Sequence, residues 1–250
     1  MSANHAAFNL IFRFVENYIS PIAGRISSQR HVMAIRDGFI SAMPFMIVGS
    51  FLLVFAYPPF SPDTTWGFAR AWLDLAKEFE GRILTPFDMT MGIMSIYICA
   101  AISYNLGKHY EKSNQLDPFM CAMLSIMAFL LIAAPKTNGT LPVDSLGGTG
   151  IFTAILVAIY CVEMMRFLKA HNIGIRLPDQ VPPMIKNSFD LLIPVLVVVL
   201  TLYPLSLFIQ HHFDMLIPQA IMAIFKPLVS AADSLPAILL AVLIGHLLWF

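Results

Sequence analysis

Gly38-Phe39-Ile40-Ser41-Ala42-Met43-Pro44-Phe45-Met46-Ile47-Val48-Gly49-Ser50-Phe51-Leu52-Leu53-Val54-Phe55-Ala56-Tyr57 is an uncharged apolar run. A helix rises about 1.5 Å per residue, so a run of this length matches a hydrocarbon core of about 30 Å. Lipid is the solvent that such a segment requires. The rest of the chain agrees. Of its 250 residues 58% are hydrophobic and 12% are charged, against about 25% charged in soluble domains. Mean hydropathy is +0.75. Too little polar surface remains to cover a globule of this size in water. Formal net charge is zero, and nothing in the overall balance points to nucleic acid.

Outward from that run, further apolar segments are predicted at Thr90–Leu106, Pro118–Ala134, Thr149–Phe167 and Phe189–Ile209. Pro44 lies inside the first span, and Pro194 and Pro204 inside the fifth. Residues 215–232 are semi-polar and interrupted by proline, and are expected at the surface or as a short helix. A sixth apolar segment begins near Leu235 and has about sixteen residues at Phe250, short of a crossing. Ahead of the first span, Phe8, Ile11, Val15, Tyr18, Ile22 and Ile26 recur at helical spacing, with Asn9, Arg13, Glu16 and Ser20 between them. Residues 8–26 therefore read as an amphipathic helix that lies on the membrane or the bundle. The expected fold is all-α and integral to the membrane. It is a helical bundle of about five complete spans, a truncated sixth and an N-terminal amphipathic helix.

Lys and Arg alternate between the two sides of this topology. Ten fall with the N-terminus and five on the opposite side. The positive-inside rule then places the N-terminus in the cytoplasm. The first loop also carries Asp63, Asp74, Glu78 and Glu80, and is charged without being basic. Small residues at Gly49 and Ser50, Gly92 and Ser95, and Ala100 and Ala101 suggest close helix contacts and self-association.

Chemistry-bearing residues are few. Cys99, Cys121 and Cys161 each sit in an apolar run, outside any CxxC or Cys/His cluster, and read as buried small hydrophobes. No catalytic, cofactor or metal motif is present. Gly147-Gly148-Thr149-Gly150 leads into a span and reads as a flexible connector. Three ionisable groups lie near membrane depth, where such groups are functional candidates by default. Glu163 stands three residues before Arg166, the spacing of an ion pair on one helix face. Asp190 stands where a carboxylate suits a helix N-terminus. His246 fits a helix–helix hydrogen bond as well as chemistry. Trp249 is either a packing residue or a flat face on which a sugar ring stacks.

The densest polar stretch is Ile175-Arg176-Leu177-Pro178-Asp179-Gln180-Val181-Pro182-Pro183-Met184-Ile185-Lys186-Asn187-Ser188-Phe189. Three prolines stiffen it. It is either a rigid connector or a docking surface that presents Arg176 and Lys186. Continued through Pro194, it resembles the LPDxVPxxVxxSFxxLIP signature of phosphotransferase-system sugar permeases, the enzyme IIC family for lactose, cellobiose and diacetylchitobiose. His31 to Ile40 with Met43-Pro44 resembles the family's opening motif, Thr90 to Ser95 its second-span start, and Leu247 to Phe250 the start of an LLWFFGIHG-like segment. Asp88-Met89 stands where the family has Asn-Gly.

The resemblance implies a permease of about ten spans in the bacterial cytoplasmic membrane. Its domains would be a cytoplasmic segment 1–36, a scaffold half 37–210 that forms a dimer, and the start at 211–250 of a truncated second half that binds the sugar and alternates access. A disaccharide or aryl-glucoside would be phosphorylated on its 6-hydroxyl by a separate IIB protein, itself charged by IIA. Trp249 is the substrate-binding candidate, Arg176 and Lys186 the partner-docking candidates. No catalytic residue falls in the chain, because the family's reacting histidine and glutamate lie past Phe250. The rival classes are an ion-driven secondary transporter, which would require a coupled intramembrane charge, and a non-transporting membrane scaffold.

Overall fold

The computed structural model describes residues 17, 20–135, 139–175, 180, 182, 189–232, 234 and 238. Among these residues the regular elements are helices. The helices are α1 Ser20–Ser27, α2 Arg30–Ala56, α3 Gly67–Asp88, α4 Met94–Asn114, α5 Pro118–Ala133, α6 Ile151–Ala170, α7 Leu192–Phe213 and α8 Ile217–Ala232, with a 3-10 turn Gly148–Gly150 leading into α6. The chain divides into two compact units, Ala34–Ile221 and a smaller one made of its two ends. In the smaller unit the described helical residues are α1, the first turn of α2 and the later part of α8. Most of the predicted 8–26 helix lies outside the described residues.

Among the described residues three helices are long and apolar enough to cross a membrane: α2, α6 with its leading turn, and α7. Helix α5 is apolar throughout but has 16 residues. The predicted second span is displaced along the chain. Residues 89–93 form a turn, and α4 runs on through Lys108, Glu111 and Lys112 to Asn114.

The core of the larger unit sits between α4, α5, α6 and α7. Ile98, Ile102, Leu106, Leu124, Phe129, Val162 and Val198 are fully buried there. Cys99, Cys121 and Cys161 are buried and free, as small hydrophobes should be. Helix α2 joins this core through small side chains. Ala34, Gly38, Ala42, Gly49 and Ala56 are its buried residues, spaced along one face. A Cβ on Gly38 would stand 2.4 Å from Ile102 Cγ1, and one on Gly49 would stand 2.5 Å from Met91 Cγ. Gly49 therefore serves a contact within the chain. The opposite face of α2 exposes Ile40, Met43, Ile47, Phe51 and Val54, as a lipid-facing surface would.

These contacts fix which helix ends lie together. Ser95 Oγ donates to the carbonyl of Gly147 at 2.5 Å, and the Ser95 amide to that of Leu146 at 2.9 Å. The starts of α4 and α6 thus meet at one end. At the other end Lys169 Nζ donates to the carbonyl of Gln115 at 2.7 Å, which joins the end of α6 to the α4–α5 connection. Helix α2 runs antiparallel to α4, since Gly38 faces Ile102 while Gly49 faces Met91. The glycine-rich stretch before α6 is a fixed turn and not a flexible connector. Gly150 is buried, and a Cβ there would stand 2.1 Å from the Ser145 carbonyl oxygen.

Helix α3 occupies what sequence reading treated as a charged loop. It has 22 residues and carries Arg70, Asp74, Lys77, Glu78, Glu80, Arg82 and Asp88. It starts beyond the outgoing end of α2 and finishes just ahead of α4, so both its ends lie at one end of the bundle. A segment that enters and leaves on the same side does not cross.

Candidate functional site

The most developed polar cluster lies at the bundle end where α4 finishes and α7 begins. Helix α4 stops because Gln115 takes a left-handed conformation, φ 54°. Two residues on, Asp117 caps α5, its carboxylate accepting from the amides of Phe119 at 2.9 Å and Met120 at 3.3 Å. Pro118 follows at the first helical position, where its missing amide proton costs nothing. The tight connection leaves the Gln115 carbonyl facing α6, where Lys169 reaches it. The same ammonium pairs with Asp190 at 3.3 Å, immediately ahead of α7. Three helix ends are thereby tied to one side chain.

Deeper in the bundle Tyr110, Glu163 and Arg166 form a second cluster. The Tyr110 hydroxyl donates to Glu163 Oε1 at 2.7 Å, and Arg166 Nη1 donates to Glu163 Oε2 at 2.7 Å. The guanidinium also lies 4.8 Å from the centre of the Tyr110 ring, in cation–π range. Tyr110 is buried. The carboxylate is thus compensated across the α4–α6 contact, which is how an ionised group is tolerated near membrane depth.

A cleft of about 530 Å³ opens beside the Lys169–Asp190 pair. Ser113, Asn114, Gln115 and Asn172 supply polar walls, and Met165, Leu168 and Pro194 apolar ones. Ile175 and Asp190 line it too, and these two residues flank the proline-rich stretch that contains Arg176 and Lys186. Among the described residues no group of His, Cys, Asp and Glu is placed to hold a metal ion. The arrangement suits recognition of a polar surface and carries no activated nucleophile.

The spacing argument for Glu163 and Arg166 is met. Asp190 stands two residues ahead of α7 and makes no cap there; its carboxylate pairs with Lys169 instead. Arg176, Lys186, His246 and Trp249 lie outside the described residues. Sequence reasoning missed Tyr110 and Lys169. Their partners are 53 and 54 residues away for Tyr110–Glu163 and Lys169–Gln115. No local pattern marks such pairs.

Residues 36–250 match the family model described as Phosphotransferase system, EIIC. The cellobiose-specific EIIC component of Geobacillus stearothermophilus is 32% identical over 254 residues, covering 95% of this chain and 54% of that protein. The lactose-specific EIICB component of Streptococcus mutans is 32% identical over 236 residues, covering 92% of this chain and 40% of that protein. Among solved structures, the transporter ChbC, the IIC component from the N,N'-diacetylchitobiose-specific phosphotransferase system, is similar with a TM-score of 0.79 and 32% identity. That match covers 95% of this chain and 56% of ChbC. The chain spans about half the length of the curated relatives it matches, or less. It is an integral membrane protein, and it belongs to the phosphotransferase system EIIC family.

Proposed function

We propose that these 250 residues are the scaffold part of a permease that imports a cellobiose-, chitobiose- or lactose-type sugar and presents it for phosphorylation. The observation that carries this reading is family membership along nearly the whole chain, with relatives named for those sugars. The lactose relatives are EIICB components, which supports a B partner for this chain. Residues 1–36 form the cytoplasmic segment. Residues 37–210 form the scaffold and carry the contacts between two copies of the chain. Residues 211–250 open the sugar-binding half, with Trp249 as a stacking platform. The site is the bacterial cytoplasmic membrane, with the N-terminus inside. On that orientation the Lys169–Asp190 cleft faces the cytoplasm. Arg176 and Lys186, which fall between Ile175 and Asp190 in the sequence, meet the phosphorylated IIB protein.

The test is uptake and phosphorylation of labelled cellobiose in cells lacking related permeases, with IIA and IIB supplied. Residues 1–250 joined to the remaining portion of the Geobacillus stearothermophilus relative are expected to accumulate sugar phosphate. Residues 1–250 alone are expected not to. Accumulation by the short chain alone would place the active half wrongly. Failure of a well-inserted fusion would count against the scaffold reading.

A further inference from the structure

Five aromatic rings gather where α2 ends and α3 begins. Phe55 lies 5.6 Å from Trp72, Phe60 lies 5.7 Å from Trp72 and 5.8 Å from Trp66, and Phe68 lies 5.6 Å from Trp66 and 5.9 Å from Trp72, all between ring centres. The cluster is not a core. Trp66 is 60% exposed and Phe68 is 61% exposed. We propose that Phe55, Phe60, Trp66, Phe68 and Trp72 form an anchor seated at the boundary between lipid headgroups and hydrocarbon.

Three observations lead there. Phe55 closes a helix apolar enough to cross the membrane, and its ring continues the exposed stripe of Ile40, Met43, Ile47 and Phe51. The cluster therefore extends a lipid-facing surface at the depth where that surface ends. Helix α3 then stays at that end of the bundle. It sets Ala69 and Ala76 against the protein while Arg70, Asp74, Lys77 and Arg82 stay exposed. A helix with one apolar and one charged face lies in an interface plane. Finally, the rings have polar companions. Trp72 Nε1 donates to the Phe55 carbonyl at 3.2 Å, and Tyr57 beside the cluster donates to Glu80 at 2.9 Å. Rings with an apolar body and a hydrogen-bonded tip are enriched at membrane–water boundaries.

A lipid boundary fits better than a second protein. Arg70 and Asp74 stand within one turn of Trp72 and are exposed. A dry protein interface would strip water from both charges, and aspartate is depleted from such interfaces. Headgroups leave them hydrated while the rings are covered. The anchor would hold the outgoing end of α2 at a fixed depth.

The proposal depends on membrane insertion and not on the sugar reading. It is tested by tryptophan fluorescence of the protein in proteoliposomes. The sequence has three tryptophans, so a Trp249→Phe background leaves Trp66 and Trp72 as reporters. Lipids brominated near the headgroup end of the acyl chain are expected to remove about half of the emission or more, and lipids brominated near the chain ends much less. Aqueous iodide is expected to have little effect. Dominant iodide quenching would show a water-facing patch, dominant deep-bromine quenching would bury the rings in hydrocarbon, and protection from all three quenchers would mean that protein covers them. Each of these outcomes overturns the proposal. Trp66→Phe in the same background repeats the measurement with Trp72 alone and guards against a disturbed fold at either position.

Discussion

Tyr110→Phe removes one oxygen from the α4–α6 contact and leaves the ring in place. The hydroxyl donates to Glu163 at 2.7 Å, while Arg166 holds the other carboxylate oxygen at the same distance. A hydrogen bond to a charged group contributes about 1.5–3 kcal/mol in soluble proteins. Interhelical hydrogen bonds in membranes average about 0.6 kcal/mol, with a maximum near 1.7. The Glu163 side chain is 30% exposed, so water recovers part of what the phenol supplied. Arg166 remains to compensate the charge. The membrane figure therefore governs, and the charge raises the expectation toward its upper end, about 1–1.5 kcal/mol.

A double-mutant cycle with Glu163→Ala isolates the pair, because alanine removes both the acceptor oxygens and the charge. A coupling energy of about 1 kcal/mol is expected between the two positions. At about 2–4 °C per kcal/mol for a chain of this size, thermal unfolding in detergent should show each single variant melting a few degrees low. The double variant should melt higher than the sum of the two losses predicts. Strict additivity would refute the reasoning, since the two groups would then stabilise the fold independently of their contact.

The remaining tests address packing, docking and topology. Gly38→Ala places a Cβ 2.4 Å from Ile102 Cγ1 and 2.9 Å from the Ile102 amide nitrogen, so α2 must move off a fully buried residue, at a cost of about 1–3 kcal/mol. Gly81→Ala, in the interior of α3 with nothing within 4 Å of the new Cβ, is expected to stabilise by about 0.5–1 kcal/mol. Opposite shifts in unfolding temperature for the same chemical change would confirm the assignment, and equal signs would contradict it. Arg176→Glu with Lys186→Glu, in the fusion described above, should slow sugar phosphorylation while sugar binding stays intact. Unchanged transfer rates would reduce the stretch to a connector. With the three native cysteines buried, Thr140→Cys should react with an impermeant maleimide from outside intact cells and Asn172→Cys only in inverted vesicles. The reverse pattern would invert the topology.

The sequence was legible where the physics is local or one-sided. An apolar run as long as the hydrocarbon core forces a helix, and α2, α6 and α7 followed directly. The Glu163–Arg166 pair was visible because three residues on a helix make neighbours. The polar cluster around it was not. Lys169 becomes a hub only because a left-handed Gln115 exposes its carbonyl to α6, and because Asp190, just ahead of the next helix, lies beside it. Neither condition is written at position 169.

Helix α3 escaped for a different reason. Its inward residues include Ala69 and Ala76, small side chains that weigh little in an apolar pattern, while its outward face carries the charges that made the segment read as a loop. Alanine is nonetheless what close approach between helices requires. The buried face of α2 obeys the same rule with Ala34, Gly38, Ala42, Gly49 and Ala56. In a membrane the large apolar residues are free to face lipid, because lipid is as good a solvent for leucine as a protein core. Large apolar residues therefore mark where the hydrocarbon lies, and small ones where helices meet. A reading weighted by hydrophobicity finds the first set and passes over most of the second, which is why Gly49 and Ser95 were marked as contact residues while Ala34, Gly38, Ala42 and Ala56 were not.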